Sequence, residues 1–498
     1  MFQTATVPES VPHVTRNWPG IATRPPWVRV VVLANRSPLR HDRMSGGEIR
    51  VSRSSGGLVT AIEPLVRGYG GTWIAHGAGS ADLDVNASNG SVSDVGYRLR
   101  YVSLSHDDYC GYYYGFANEA LWPLCHDVGV TPVFRPSDFA AYRAANARFA
   151  KAAARETVAD SLVLVQDYHL ALAPRSLRIQ NANQTIVAFW HIPWPRLNVF
   201  RACPWAVELL EGLLCCDIVG FQTDDDCLNF LSCVEALTLD ATVDCLQRRV
   251  SRRGCATLAR VYPVGIEQPN DALRRCPSPA VCRDQVRQDL GLSLGVRLGL
   301  GIDRLDYTKG INQKFIAIER LLEVRPELRG RFAFVQIAEP SRDCLPAYRA
   351  TRSELRATAA RVNARFGAGP YKPILLLETH HDAPDVYRLY RAADLCYVGS
   401  LHDGMNLVAK EFVAARDDER GTLILSEFAG AARQLRAALL INPRDADECA
   451  DALSRALDMP WAEQAARMRV LRENVSACDA SWWARQLMSD AATHRYRS

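Results

Sequence analysis

"DLCYVGSLHDGMNLVAKEF" (residues 394–412) joins two apolar patterns across one short polar loop. The first, DLCYV (394–398), is a brief apolar run of the kind that forms a buried strand. The second recurs at three- and four-residue steps, at Met405, Val408, Ala409, Phe412 and Val413. That spacing predicts one buried face of a helix over 404–416. Asp403 sits where an N-cap belongs. Gly404 leaves the first turn bare, so a ligand can approach the backbone there. Glu411 follows Gly404 by seven residues and falls about 20° from the same face. A helix N-terminus attracts anions through unpaired N–H groups and its dipole. The stretch thus fits an anion site beside two carboxylates. Taken alone, it fits a capped surface helix with an exposed Lys-Glu pair at least as well.

The same strand–loop–helix unit recurs outward in both directions. WVRVVVLANR (27–36), SLVLVQ (161–166), TIVAFW (185–190) and DIVGF (217–221) read as buried strands. Helical stretches such as AAYRAANARFAKAAARE (140–156) lie between them. After the CPSPAVC punctuation (276–282) come VRLGLGI (296–302), FAFVQIA (332–338), PILLLE (373–378) and TLILS (422–426). Helices are expected at 311–324, 343–365 and 445–458. Alternation of this kind predicts mostly parallel sheets. The expected fold class is α/β, with two Rossmann-like, doubly wound domains and a cleft between them. The expected boundaries are 27–267 for the first domain and 268–479 for the second, with a C-terminal helix at about 480–498 packing back on the first. Residues 1–26, rich in Pro, Thr, Ser and Val without period, read as a flexible arm.

Composition narrows the class. The chain has 498 residues, 48% hydrophobic and 23% charged, with a formal charge of +4. That is ordinary for a globular enzyme and offers no basic stripe for nucleic acid. No apolar run reaches the length of a membrane span. The fifteen cysteines are scattered, without zinc spacing. They read as reduced thiols in a cytoplasmic protein.

Polar residues that could carry chemistry follow the apolar runs. Arg36 follows the first strand, Asp167 the SLVLVQ run and His191 the TIVAFW run. Arg304 and Lys309, in DRLDYTKG, follow VRLGLGI; Arg342 follows FAFVQIAEPS; Asp403 follows DLCYVGS. Ligands of doubly wound sheets sit at these strand ends. Each residue also has an ordinary structural role open to it. Asp167 and Asp403 could be helix caps, His191 a core histidine, and Arg304 and Lys309 solvated loop charges. Arg36 and Arg342 could pair with surface carboxylates, and Gly56-Gly57 could be a turn. Together the cations and the glycine-opened helix suit phosphate, and Asp and His suit sugar hydroxyls. No GxxxxGK[ST], HExxH or GxSxG motif is present.

Eleven ordered motifs resemble those of the trehalose-6-phosphate synthases, retaining glycosyltransferases of the GT-B fold. They are NR (35–36), SSGGLV, GTW (71–73), YYYGFANEALWPLCH, VQDYHL, WHIPWP, DIVGFQT, YPVGIE (262–267), DRLDYTKG, SLHDGMNLVAKEF and SEFAGAA, and they cover about residues 28–490. The resemblance implies transfer of glucose from a nucleotide sugar, UDP-glucose foremost, to glucose 6-phosphate, with an α,α-1,1 linkage and no metal or other cofactor. It implies donor binding by Gly56, Gly57, Arg304, Lys309, Asp403, Gly404, Met405, Asn406, Leu407, Val408 and Glu411. It implies acceptor binding by Arg36, Tyr113, Trp122, Asp167 and Arg342. The residues it implies for catalysis are Asp167, His191, Arg304, Lys309, Asp403 and Glu411.

Two positions depart from the family pattern. His402 stands where Arg is frequent, and His76 stands where a second Trp is common. The neighbouring alternatives are a synthase using glycerol 3-phosphate, an enzyme coupling cyclitols, and a silent sugar-phosphate sensor. The donor base and the oligomeric state, including a homo-oligomer, stay open. The arm at 1–26 is either an inert tail or a signal for injection into host cells.

Overall fold

The computed structural model describes residues 27–53, 57–87, 96–268 and 270–497. The arm, with the export reading attached to it, and Gly56 lie outside the described residues.

Eleven strands form in the first half. They are β1 (Arg29–Leu33), β2 (Leu39–Arg43), β3 (Ile49–Arg53), β4 (Thr72–His76), β5 (Arg98–Val102) and β6 (Ser161–Gln166), followed by β7 (Thr185–Phe189), β8 (Ile218–Phe221), β9 (Ala241–Asp244), β10 (Arg249–Arg252) and β11 (Cys255–Val261). Nine of them make one sheet in the order β5-β4-β1-β6-β7-β8-β11-β10-β9, and β2 with β3 forms a separate hairpin. The second half contributes β12 (Arg297–Arg304), β13 (Phe332–Glu339), β14 (Ile374–Leu377), β15 (Leu395–Val398), β16 (Thr422–Ser426) and β17 (Leu439–Ile441). Their order is β14-β13-β12-β15-β16-β17, all parallel.

Strand order reverses between β1 and β6 in the first sheet, which turns back again at β11-β10-β9, and between β12 and β15 in the second. β1 pairs in parallel with both β4 and β6, with Val31 opposite Thr72 on one side and Val163 on the other. β12 pairs with both β13 and β15. The loops leaving β1 and β6, and those leaving β12 and β15, therefore diverge and open a crevice at each sheet's C-terminal edge.

Helices cover both faces of the central parallel strands, which are apolar, whereas the edge strands β9 and β10 are polar and largely exposed. Val31, Val32, Leu33, Val163 and Ile186 are inaccessible to solvent. The C-terminal helix Ala480–Arg497 packs on the helix Gly57–Tyr69 and on β7. Trp483 meets Phe189 edge-on at 5.3 Å, and the Tyr262 hydroxyl donates to Asp490 at 2.7 Å. Each fully buried Leu in this contact, such as Leu487, contributes about 1.5–3 kcal/mol. None of the fifteen cysteines is in a disulfide. Among the described residues, no helix is long and apolar enough to cross a membrane.

The opening stretch folds differently from its sequence expectation at one point. The helix runs Leu407–Ala415, and its N-cap is Asn406, whose side chain accepts from the Ala409 N–H at 3.2 Å. Asp403 is not the cap and Gly404 is not in the first turn. The expected helix at 343–365 likewise begins later, at Pro346, because Leu345, directly before a proline, is extended with φ −85° and ψ 135°.

Candidate active site

The site is built on the four diverging loops, the exits of β7 and β13, and the helical segment that carries Tyr113 and Trp122. Behind β12, Asp306 is fully buried and accepts from the Thr308 N–H and hydroxyl, both at 3.0 Å. It also accepts from the Tyr348 hydroxyl at 3.1 Å and pairs with Arg342 at 3.4 Å. Burial opposes ionisation of Asp306, but Arg342 and Arg304 outweigh it and hold the carboxyl below its ordinary range. Arg342 is thereby fixed, with its side chain only 5% exposed. Its guanidinium lies 4.4 Å from the centre of the Trp122 ring and donates to the Tyr168 hydroxyl at 3.3 Å. Arg304, at the end of β12, approaches the same indole at 5.6 Å. Among the described residues, no hydrogen bond or ion pair occupies the Arg304 guanidinium. Arg36 faces the same space from the loop after β1. Crowding by surrounding atoms, and then the charge of Arg304, lower its pKa.

Tyr113 completes this cationic nest. Burial pushes its phenol up, yet Arg342, Arg304 and Arg36 together bring it below the ordinary tyrosine value. Tyr113 and Trp122 belong to one continuous helical segment, with a π-helix over Cys110–Leu121 leading into Trp122–His126. π-Helical turns are rare and recur at functional sites. Gly115 permits close packing there, since a Cβ would come 2.4 Å from an Asp138 carboxylate oxygen.

After β6, Asp167 adopts φ 71°, and its carboxylate accepts from the backbone N–H groups of Tyr168 at 3.0 Å and His191 at 3.2 Å. Burial raises its pKa to about 6, against the pull of those bonds. His191 is neutral: burial lowers its pKa to about 3. Its Nε2–H donates to Gln166 at 2.9 Å, and Gln222 donates to Nδ1 at 3.5 Å.

The loop after β15 faces these residues. The Lys309 ammonium meets Asp403 at 2.5 Å, and Ser400 and Asn406 both donate to the same carboxylate oxygen at 3.1 Å. Burial disfavours the charged form of Asp403, but Lys309 prevails and depresses the pKa. Gly310 has φ 61°, and a Cβ there would strike the Gly399 carbonyl at 2.1 Å. Further along, the Asp403 N–H donates to Phe428 at 3.1 Å, and the Gly430 and Ala431 N–H groups donate to Asp403 and Met405 at 3.1 and 2.8 Å. Gly404 lies against His191: a Cβ would sit 2.2 Å from the His191 carbonyl oxygen. That contact brings the loop after β15 onto the loop after β7. His402 adds another, with its Nδ1–H donating to the His126 carbonyl at 2.7 Å.

The sequence-derived residues thus form a nest of Arg36, Tyr113, Trp122, Arg304 and Arg342, and a loop of Lys309, Asp403, Gly404, Met405 and Asn406. The Asp167–His191 pair adjoins both. Leu407 and Val408 open the helix after this loop, and Gly57 opens its own. Glu411 stands apart, partly buried, and accepts from the Tyr390 hydroxyl at 2.9 Å. Burial lifts its pKa to about 7. It does not pair with Asp403, because the helix starts after Gly404. Its neighbour Lys410 is buried and donates to the Val264 carbonyl at 2.7 Å, so no exposed Lys-Glu pair exists. Sequence reading missed Asp306, Tyr168, Tyr348 and Tyr390, which hold Arg342 and Glu411 in place. Asp306 lay in the quoted DRLDYTKG, but nothing local marked it as the buried partner of a residue 36 positions on.

Comparison with known proteins accords with this geometry. The profile of glycosyltransferase family 20 matches residues 28–493. A trehalose-6-phosphate synthase of Mycolicibacterium smegmatis is 39% identical over 469 residues, 93% of this chain and 92% of that one. Two solved structures cover 93% of this chain and 99% of their own. One, a trehalose-6-phosphate enzyme from E. coli bound with UDP-2-fluoro glucose, superposes with a TM-score of 0.82 at 33% identity. The other, a UDP-forming α,α-trehalose-phosphate synthase from Burkholderia xenovorans in complex with glucose-6-phosphate, gives 0.81 at 32%.

Proposed function

The chain belongs to glycosyltransferase family 20, and from that premise we propose that it transfers glucose from UDP-glucose to glucose 6-phosphate, giving trehalose 6-phosphate and UDP. The observation that carries the acceptor half is the convergence of Arg304 and Arg342 on the Trp122 indole, with Arg36 and Tyr113 close enough for their charges to act on one another. A phosphate monoester suits such a nest, because charge-assisted hydrogen bonds to a dianion are about twice as strong as neutral ones.

Arg36, Tyr113, Trp122 and Arg342 hold the acceptor phosphate in this reading, and Asp167 orients the acceptor sugar. The 403–406 loop meets the donor sugar, beside His191. Arg304 and Lys309 take the donor diphosphate, with the Gly56-Gly57 segment over it. Glu411 accepts from the ribose hydroxyls. The acceptor hydroxyl attacks the anomeric carbon on the face from which UDP departs, so configuration is retained. The carbon–oxygen bond to the diphosphate breaks, and the leaving phosphate oxygen takes the acceptor's proton. Negative charge grows on that oxygen, where preorganised cations act most strongly. Closure of the two halves excludes water, which otherwise consumes the donor.

The test is an endpoint assay with UDP-glucose and either glucose 6-phosphate or glycerol 3-phosphate, read by mass and by anomeric couplings. An α,α-linked disaccharide phosphate formed with glucose 6-phosphate alone is expected. Product with glycerol 3-phosphate alone overturns the acceptor assignment.

Glu411 yields a pH prediction. With its carboxyl raised to about 7, it is protonated below that pH and ionised above it. The ionised form is the better hydroxyl acceptor, so the UDP-glucose Kd should fall as pH rises from 6 to 8. Glu411→Gln should bind weakly at both. Calorimetric titration checks this, and an equal slope in both proteins refutes it.

A further inference from the structure

Four rings stack in one near-parallel column through the acceptor side of the site. His76, at the end of β4, lies 4.4 Å from Tyr109 at an interplanar angle of 19°. Tyr109 lies 5.0 Å from Tyr113 at 13°, and Tyr113 lies 5.7 Å from His169 at 10°. Tyr109 and Tyr113 are four residues apart on a helical segment, so they share a face. Tyr114 closes the side, edge-on to Tyr109 at 5.6 Å and to Tyr113 at 5.1 Å. Both faces of the Tyr113 ring are therefore occupied, and its plane cannot turn.

The column is anchored at the far end from the nest. His76 is 9% exposed, and its Nδ1–H donates to the Val102 carbonyl at 3.3 Å. At the near end, His169 belongs to the loop that carries Asp167. Aromatic pairs in this offset-stacked range add to simple burial. Among the described residues, the Tyr109 side chain has no hydrogen-bond partner, and its aromatic contacts are the faces of His76 and Tyr113 and the edge of Tyr114.

We infer that Tyr109, backed by His76, is a positioning residue that fixes the Tyr113 phenol on the arginine nest and so sets affinity for the phosphate of the acceptor. This rests on the acceptor assignment above. Tyr109 itself need not touch substrate. A leucine there leaves one face of Tyr113 without a flat support, so the phenol samples orientations that miss the phosphate. Phenylalanine keeps the support.

The experiment compares wild type, Tyr109→Phe and Tyr109→Leu. Tyr109→Leu is expected to raise the KM for glucose 6-phosphate about tenfold, with kcat and the UDP-glucose KM within twofold of wild type. Tyr109→Phe is expected to match wild type. A Tyr109→Leu protein that keeps the wild-type acceptor KM, or loses both substrate affinities and thermal stability together, overturns the proposal. Binding of inorganic phosphate by calorimetry separates it from the acceptor assignment. If wild type does not use glucose 6-phosphate, that assignment fails. The column still stands if Tyr109→Leu alone weakens phosphate about tenfold, and falls if all three proteins bind it equally.

Discussion

Replacing Arg304 by alanine will lower kcat by about 10² to 10³, the usual cost of removing one preorganised charge from a transition state. Melting temperature will stay near wild type. The two effects separate because Arg304 has no bonded partner among the described residues, only the Trp122 face at 5.6 Å. Arg342 would not separate them, since its loss leaves Asp306 buried beside an absent cation. Turnover at saturating UDP-glucose and glucose 6-phosphate, with a thermal melt, checks both halves. Wild-type turnover removes Arg304 from the donor site. Lost turnover with lost folding makes its role structural.

Gly404→Ala will reduce kcat/KM by about 10², although it adds one methyl group. Its Cβ would lie 2.2 Å from the His191 carbonyl oxygen and 3.2 Å from the Ile192 Cα, and both are backbone atoms that cannot rotate away. Relief requires the two loops to part. On its other side Gly404 is held by Gly430, where a Cβ would come within 1.9 Å of the Gly404 carbonyl. A displacement near 1 Å between reacting groups costs about 10² in rate. Strain from such overpacking is about 1–3 kcal/mol, small enough for the chain to stay folded. Steady-state kinetics with a melt measure this, and an alanine variant at full activity would mean the loops move apart freely.

Much of the candidate site was legible because doubly wound sheets bring their strand ends to one edge. Arg36, Asp167 and Asp403 each lie in a loop that leaves a strand at a reversal of strand order, and Arg304 ends such a strand. Their placement therefore follows from alternation of strand and helix alone. The resemblance supplied roles that spacing could not, including those of Tyr113 and Trp122. Where local reasoning failed, a distant group had already claimed the side chain. Asp403 looks like an N-cap, but Lys309, 94 residues earlier, takes its carboxylate, and Asn406 caps the helix instead. Moving that start by three residues takes Gly404 off the helix and parts Glu411 from Asp403. Lys410 looked solvated and is buried, because the 262–267 strand exit passes over it and offers the Val264 carbonyl.

By itself, then, the sequence determined the α/β class, the order of strands and helices, and which loops carry polar residues. These depend on period and on residues near in the chain, where apolar spacing and backbone preference act directly. The tertiary structure alone decided the strand order, the Arg342–Asp306 pair, the packing of Gly404 on His191 and the ring column behind Tyr113. Each joins groups far apart in the chain, and their energies depend on distance, burial and the competition among partners. No local pattern encodes that competition.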